Sequence, residues 1–195
     1  MNPVLSLQAF VLSGGEATQP QAVIEFQLAP QWHIYWDNYG DSGMSTSIDN
    51  GVLVYPIPKK IPLPGSLISY GYEGRVVFFI DTPKDTVLVR WLACKDDTCI
   101  PGKRELSFLP AESERFQKER VALPTDCSFT WEHLSDNLSR VVAEKTSWMV
   151  PYSELVDSVH SQYHKNGAHY VQWNTKKPKG RYLWISDVHS CIIHI

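Results

Sequence analysis

Val87-Leu88-Val89-Arg90-Trp91-Leu92-Ala93-Cys94-Lys95-Asp96-Asp97-Thr98-Cys99-Ile100-Pro101-Gly102 reads as an apolar strand that runs into a cysteine pair and leaves it toward a Pro-Gly turn. Residues 103–109 continue as a further strand. If 94–99 turn the chain between these two strands, Cys94 and Cys99 come close enough for a disulfide. Thiols this near in sequence serve three chemistries: a structural bridge, half of a metal site, or a reversible redox couple. Spacing does not choose among them. A zinc site needs a second ligand pair. Redox pairs often sit at a helix start, where the dipole lowers the thiol pKa, and a strand approach offers no helix N-terminus. Asp96 and Asp97 raise a neighbouring thiol pKa, while Lys95 lowers it.

Upstream of the pair the chain is strand-like throughout. Ala22, Ile24, Phe26 and Leu28 alternate with Val23, Glu25 and Gln27, the period of two that gives a strand one inward face. Residues 4–12 and 75–80 read the same way, and Ser13-Gly14-Gly15 is turn chemistry. His33-Ile34-Tyr35-Trp36 is a third strand, broken by Gly40-Asp41-Ser42-Gly43. Residues 44–57 suggest two short strands around Asn50-Gly51, a favoured hairpin pair. Pro56, Pro58, Pro62 and Pro64 make the next stretch a surface or edge connection, because proline cannot donate to a ladder. Roughly eight short strands with turn signals between them argue for an immunoglobulin-like β-sandwich.

The chain of 195 residues has room for one or two domains. Its 7 tryptophans and 9 tyrosines favour strands. A net charge of −3 and no longer basic run than Lys176-Lys177-Pro178-Lys179 leave no electrostatic footprint for nucleic acid. No apolar run approaches the ~18 residues of a membrane helix. The N-terminus lacks a positive segment and a cleavage site, and reads as the first strand.

Character changes after Pro110. Residues 111–120 are charged and helix-compatible, and Leu123-Pro124-Thr125 reads as a boundary, dividing the chain into 1–124 and 125–195. Trp131, Leu134, Leu138, Val141 and Val142 recur at helical spacing, as do Leu155, Val156, Val159 and Tyr163. Pro151 and Gly167 bracket the second run. Ala168–Trp173 and Arg181–Ile185 alternate as strands. The expectation for 125–195 is a small α+β appendage, with a second, shorter β-sandwich as the alternative.

Three segments resemble one known family, the N-terminal periplasmic domain of the thiol:disulfide interchange reductases of the DsbD and ScsB type. They are Trp32-His33-Ile34-Tyr35-Trp36-Asp37-Asn38-Tyr39-Gly40-Asp41-Ser42-Gly43, Tyr70-Gly71-Tyr72-Glu73-Gly74, and Trp91-Leu92-Ala93-Cys94 with Cys99-Ile100-Pro101-Gly102. They occur in the family's order and cover roughly residues 5–109. The resemblance implies that Cys94 and Cys99 are a catalytic redox pair, with Cys99 the one joined to partners. It implies that Tyr35 and His33 border the pair, and that Tyr70 and Tyr72 form a lid over it. Some relatives carry an acidic pair and a Phe where this chain has Leu67-Ile68-Ser69, so the resemblance does not carry over the capping residue or acidic tuning from that place. Electrons would come from a thioredoxin-like, membrane-associated donor and pass to periplasmic disulfide oxidoreductases or isomerases. The chain would be the soluble, periplasmic part of a longer inner-membrane protein, with no cofactor.

Two rival readings stand beside this one. Cys94–Cys99 could be a staple in a non-catalytic immunoglobulin-like binding module. Alternatively, the C-terminal His189, Cys191 and His194, or the pair His160 and His164, could hold a soft metal, although no recognisable ligand motif completes such a site. Cys127 and Cys191 could pair as a second disulfide, which an oxidising compartment permits.

Overall fold

The computed structural model describes residues 2–14, 20–81, 83, 85–127, 129–142, 148–151, 159–166, 168–174, 181–185 and 190–194. The chain separates into two compact units, Met1–Leu123 and Pro124–Ile195.

The first unit contains strands β1 (Val4–Ser13), β2 (Ala22–Leu28), β3 (His33–Gly40), β4 (Ser47–Ile48), β5 (Val52–Val54), β6 (Lys59–Pro62), β7 (Ile68–Glu73), β8 (Arg75–Asp81), β9 (Thr86–Lys95) and β10 (Thr98–Glu112). They run β5-β8-β2-β1-β10 and then β10-β9-β3-β7-β6, with β4 also on β9. β10 belongs to both halves. Residues 98–107 pair antiparallel with β9, and residues 108–112 pair parallel with β1. The two halves close on each other as an immunoglobulin-like sandwich. Phe26 meets Trp91 edge-on at 5.5 Å, and Phe78 meets Tyr72 at 5.2 Å and Tyr55 at 5.6 Å. T-shaped contacts of this kind add to the area term of burial. Gly102 makes room for this packing, since a Cβ there would stand 2.2 Å from the Trp91 ring.

The alternation in β2 locates only half of its burial. Val23 is as buried as Ile24, because its face packs with Phe10, Leu12, Val77, Phe79 and Phe116. Phe116 ends a 3₁₀ turn, Ser113–Phe116, that leads into the short helix α1 (Gln117–Val121). The charged, helix-compatible segment therefore covers the second face of the sheet. Arg115 lies 4.3 Å over the Phe10 ring and joins Arg75 in binding Glu25. The expected hairpin at Asn50-Gly51 does not form. β4 pairs with β9 and β5 with β8, so this turn carries the chain from one sheet to the other.

Among the described residues the second unit is built of strands: β11 (Thr125–Asp126), β12 (Glu132–Ser135), β13 (Leu138–Val142), β14 (Trp148–Pro151), β15 (Val159–Lys165), β16 (Ala168–Trp173), β17 (Arg181–Ile185) and β18 (Ser190–His194). Their orders are β11-β18-β17-β14 and β12-β13-β16-β15. Trp173 of one sheet meets Tyr182 of the other at 5.1 Å, in a core with Val141, Met149, Val171, Trp184, Cys191 and Ile193. This is the second of the two forms expected for the appendage. The helical spacing around Trp131–Val142 is overturned. β12 and β13 are the arms of a hairpin turning at Asp136-Asn137, and exposed Leu134 is not a core position. Val159 and Tyr163 lie in β15, while Leu155, Val156 and Gly167 fall outside the described residues.

Candidate functional site

The β9–β10 hairpin turns at Asp96-Asp97 after the Lys95–Thr98 pair. Asp96 takes φ 51°, the left-handed conformation that Asp tolerates better than most residues. The next pair up the ladder is Cys94 opposite Cys99. Their Cα atoms are 4.1 Å apart and the sulfurs are bonded at 2.02 Å. The bridge has two unequal ends. Cys94 is 2 % exposed, whereas Cys99 stands exposed with Asp96, Asp97, Thr98, Ile100 and Pro101 around it. An incoming thiolate must reach a sulfur along the S–S axis, and exchange rates depend on that access. Cys99 is the end that can be reached.

Pairing carries this row inward across the sheet. Cys94 stands opposite His33 on β3, and His33 stands opposite Glu73 on β7. Directly opposed residues of antiparallel strands project to the same face, with Cβ atoms about 4.5–5.5 Å apart. Cys99, Cys94, His33 and Glu73 thus form one lateral row on the outer face of the sheet. His33 is 6 % exposed. Burial lowers its pKa, with the Glu73 carboxylate opposing. Its Nε2 and the Tyr35 hydroxyl share a hydrogen bond of 3.1 Å, with the rings edge-on. Burial pushes the Tyr35 phenol up.

Tyr35 is covered by the loop that follows β3. A Cβ on Gly43 would lie 2.4 Å from the Tyr35 ring. Ser45 bridges to Tyr35, and the Thr46 amide donates to its carbonyl at 3.3 Å. The Gly40-Asp41-Ser42-Gly43 break is therefore the start of a cover. Asp41 accepts from the Ile68 amide at 2.8 Å, which pins the loop to β7.

Tyr70 and Tyr72 are placed elsewhere. Side chains alternate along β7, so both point away from the face that carries Glu73. Tyr72 packs on Phe78 in the sandwich core and donates to the Pro56 carbonyl at 2.7 Å. Half-buried Tyr70 meets Trp36 edge-on at 6.3 Å, and burial, then Asp41, raise its pKa. The structure sets His33 opposite Cys94, with Tyr35 hydrogen-bonded to His33, and leaves Tyr70 and Tyr72 on the opposite face. Glu73 lies in the same row and Gly43 lies against the Tyr35 ring, yet in the sequence nothing sets them apart from the longer motifs that contain them. Which of Tyr72 and Glu73 faces the cysteines depends on register, which local sequence does not carry.

In the second unit Cys127 and Cys191 form a disulfide of 2.00 Å. His194 contacts Asp126 at 3.2 Å. Among the described residues no group of three His, Cys, Asp or Glu side chains is arranged to hold a metal ion. His189 and the side chains of His160 and His164 fall outside the described residues. No helix among the described residues is long and apolar enough to cross a membrane.

A β-sandwich that carries a disulfide at the tip of a hairpin, with one cysteine buried and the other exposed, fits a thiol–disulfide exchange domain. Residues 2–111 match the family described as thiol:disulfide interchange protein DsbD, N-terminal. The chain belongs to that family. Among solved structures it is similar to the N-terminal periplasmic domain of ScsB from Proteus mirabilis, at 16 % identity and a TM-score of 0.67, over 97 % of this chain and 90 % of that one. At that identity the likeness speaks for the fold. No curated protein matches the chain.

Proposed function

We propose that this domain relays electrons in the periplasm, from a thioredoxin-like donor to periplasmic disulfide oxidoreductases or isomerases, through the Cys94–Cys99 couple. The observation that carries the reading is the unequal exposure of the two cysteines. A donor thiolate attacks the Cys99 sulfur, the Cys94–Cys99 bond breaks, and Cys94 leaves with the electron pair. A second donor thiol then resolves the mixed disulfide and leaves the domain as a dithiol. In the forward half, the Cys99 thiolate attacks an acceptor disulfide. Cys94 then attacks Cys99, which restores the bridge and releases the reduced acceptor.

Loop entropy supports a chemical role for this bridge. Closing a sequence separation of 5 at Cys94–Cys99 stabilises the fold by only about 2 kcal/mol. The separation of 64 at Cys127–Cys191 is worth about 4 kcal/mol on the same relation. The hairpin ladder already holds the β9–β10 strands together, so the short bridge adds little as a staple.

The test is equilibration of the whole chain in glutathione and dithiothreitol buffers, with each disulfide followed by peptide mass spectrometry. Cys94–Cys99 is expected to titrate at roughly −270 to −180 mV, the span from thioredoxin to the isomerases, while Cys127–Cys191 stays oxidised. A Cys94–Cys99 value below about −300 mV is that of a structural disulfide, and would make this a binding module. In parallel, Cys94→Ser should trap a partner on Cys99, and Cys99→Ser should trap none.

A further inference from the structure

We propose that His33 is a catalytic base and acid in the exchange, carrying the proton of the buried Cys94 thiol. The inference rests on the exchange reading above and adds a residue to it. It starts from the row Cys99–Cys94–His33–Glu73 across β10, β9, β3 and β7. Cys94 is the sulfur that solvent does not reach, so bulk water is poorly placed to take or return its proton. The side chain directly opposite it is an imidazole held by a neighbouring phenol.

The protons and electrons balance as follows. Once the Cys99 thiolate has attacked an acceptor disulfide, one acceptor sulfur is bonded to Cys99 and the other has left with an electron pair. The Cys94 thiol then gives its proton to neutral His33. The resulting thiolate attacks the Cys99 sulfur, the Cys94–Cys99 bond forms, and the acceptor's remaining sulfur leaves with the second electron pair. The imidazolium returns its proton to solvent or to the departing thiolate. The domain has lost two electrons and two protons, and the acceptor has gained them. Run backward, the same imidazolium protonates Cys94 as it leaves the disulfide.

The surroundings fit that role. In the tautomer that serves it, Nε2–H donates to the Tyr35 oxygen and the lone pair lies on Nδ1. Burial keeps Tyr35 in its protonated form and favours neutral imidazole as the resting base. The charged group facing His33 from β7 is Glu73, which stabilises the transient imidazolium and is itself paired with Lys59 of β6 at 3.5 Å. From β9 the facing group is Cys94, and on β3 it is Tyr35. Asp41 of the covering loop is turned to the Ile68 amide and Tyr70.

A thiol of ordinary pKa near 8.5 is only about 3 % thiolate at pH 7, so roughly thirtyfold is the ceiling on what a base can add to resolution. The experiment mixes the Cys94/Cys99 dithiol form of the full chain with oxidised glutathione, quenches in acid, and follows by mass spectrometry two steps: capture of glutathione on Cys99, then its release by Cys94. In the native protein the release rate is expected to level off by pH 7, with an acid limb below pH 6.5. In His33→Gln capture should be unchanged. Release should be slower at pH 7, by up to about thirtyfold, and rise tenfold per pH unit until the thiol itself ionises. A merely structural role would lower the rate without changing the profile's shape. A variant that keeps the native rate or profile overturns the inference. So does a native profile that climbs tenfold per unit through pH 8, a result that needs no variant to fold. Failure of Cys99 to capture glutathione at all removes the exchange reading, and this inference with it.

Discussion

Gly43→Ala tests whether the loop after β3 is seated on the site. Gly43 has φ 135°, and a Cβ there would lie 2.4 Å, 2.5 Å and 2.7 Å from the Cε1, Cδ1 and Cζ atoms of Tyr35. Carbon atoms rest at about 3.5–4.0 Å, so something must move by roughly an ångström. Tyr35 is 2 % exposed and hydrogen-bonded to His33, which denies its ring an easy escape. Overpacking of this kind costs about 1–3 kcal/mol, and a non-glycine residue at that φ costs about 1–3 kcal/mol more. If the loop peels away instead, the Thr46–Tyr35 hydrogen bond and the Asp41–Ile68 hydrogen bond are at risk, at about 1 kcal/mol each. The cheaper route sets the outcome, a loss of about 2 kcal/mol from the first unit. Urea unfolding followed by tryptophan fluorescence should show the midpoint of that unit falling by about 1–2 M. The transition of the second unit should stay in place. A change below about 0.5 kcal/mol would refute the seating of the loop on Tyr35.

Two further outcomes follow from the same geometry. Cys127→Ser/Cys191→Ser removes the bridge across a separation of 64, and is expected to cost the second unit about 4 kcal/mol while leaving glutathione exchange at Cys99 unchanged; a fluorescence melt and the capture assay check the two halves. His33 has a folded-state pKa below its ordinary value of 6.5, so above pH 6.5 it contributes nothing to the pH dependence of stability. As pH falls through 6.5 the unfolded chain takes the proton first, and stability drops with a slope of up to about 1.4 kcal/mol per pH unit until the folded pKa is passed. Urea titrations at pH 7.5 and 5.0 should show that drop in the native chain and a shallower one in His33→Gln. Equal slopes would mean that His33 is not held neutral by the fold.

Much of the first unit is legible in the sequence because each strand states its own period. Ala22, Ile24, Phe26 and Leu28 point one way, and Val87, Val89, Trp91 and Ala93 are all buried on the core face of β9. The cysteine hairpin follows from that alternation together with the Asp96-Asp97 turn. What alternation cannot state is which strand lies beside which, and in what register. Tyr72 and Glu73 are adjacent, one must face the cysteines' side, and the pairing of His33 with Glu73 decides it. Tyr72 therefore sits in the core. The second unit defeats sequence periodicity for a different reason. Its strands are short, and the Asp136-Asn137 turn sets Leu134 and Leu138 four apart, the interval that also marks a helix face.

The two bridges divide the work that disulfides can do. Cys191 is buried in the core of the second unit, on β18 beside β11, the strand next to Cys127. Its bond closes a long loop, where a covalent tie restricts the unfolded chain most. Cys94–Cys99 joins neighbours that the ladder already brings together, so breaking it leaves the β9–β10 pairing intact. That is the property an exchange centre requires. A domain that cycles between disulfide and dithiol must keep its fold in both, and the pair whose opening costs the fold less is also the pair with an exposed cysteine. The row behind it then gives the buried sulfur a partner. With Cys94 opposite His33, the sheet that shields one cysteine from water also sets an imidazole beside it, the arrangement that the proposed proton transfer requires.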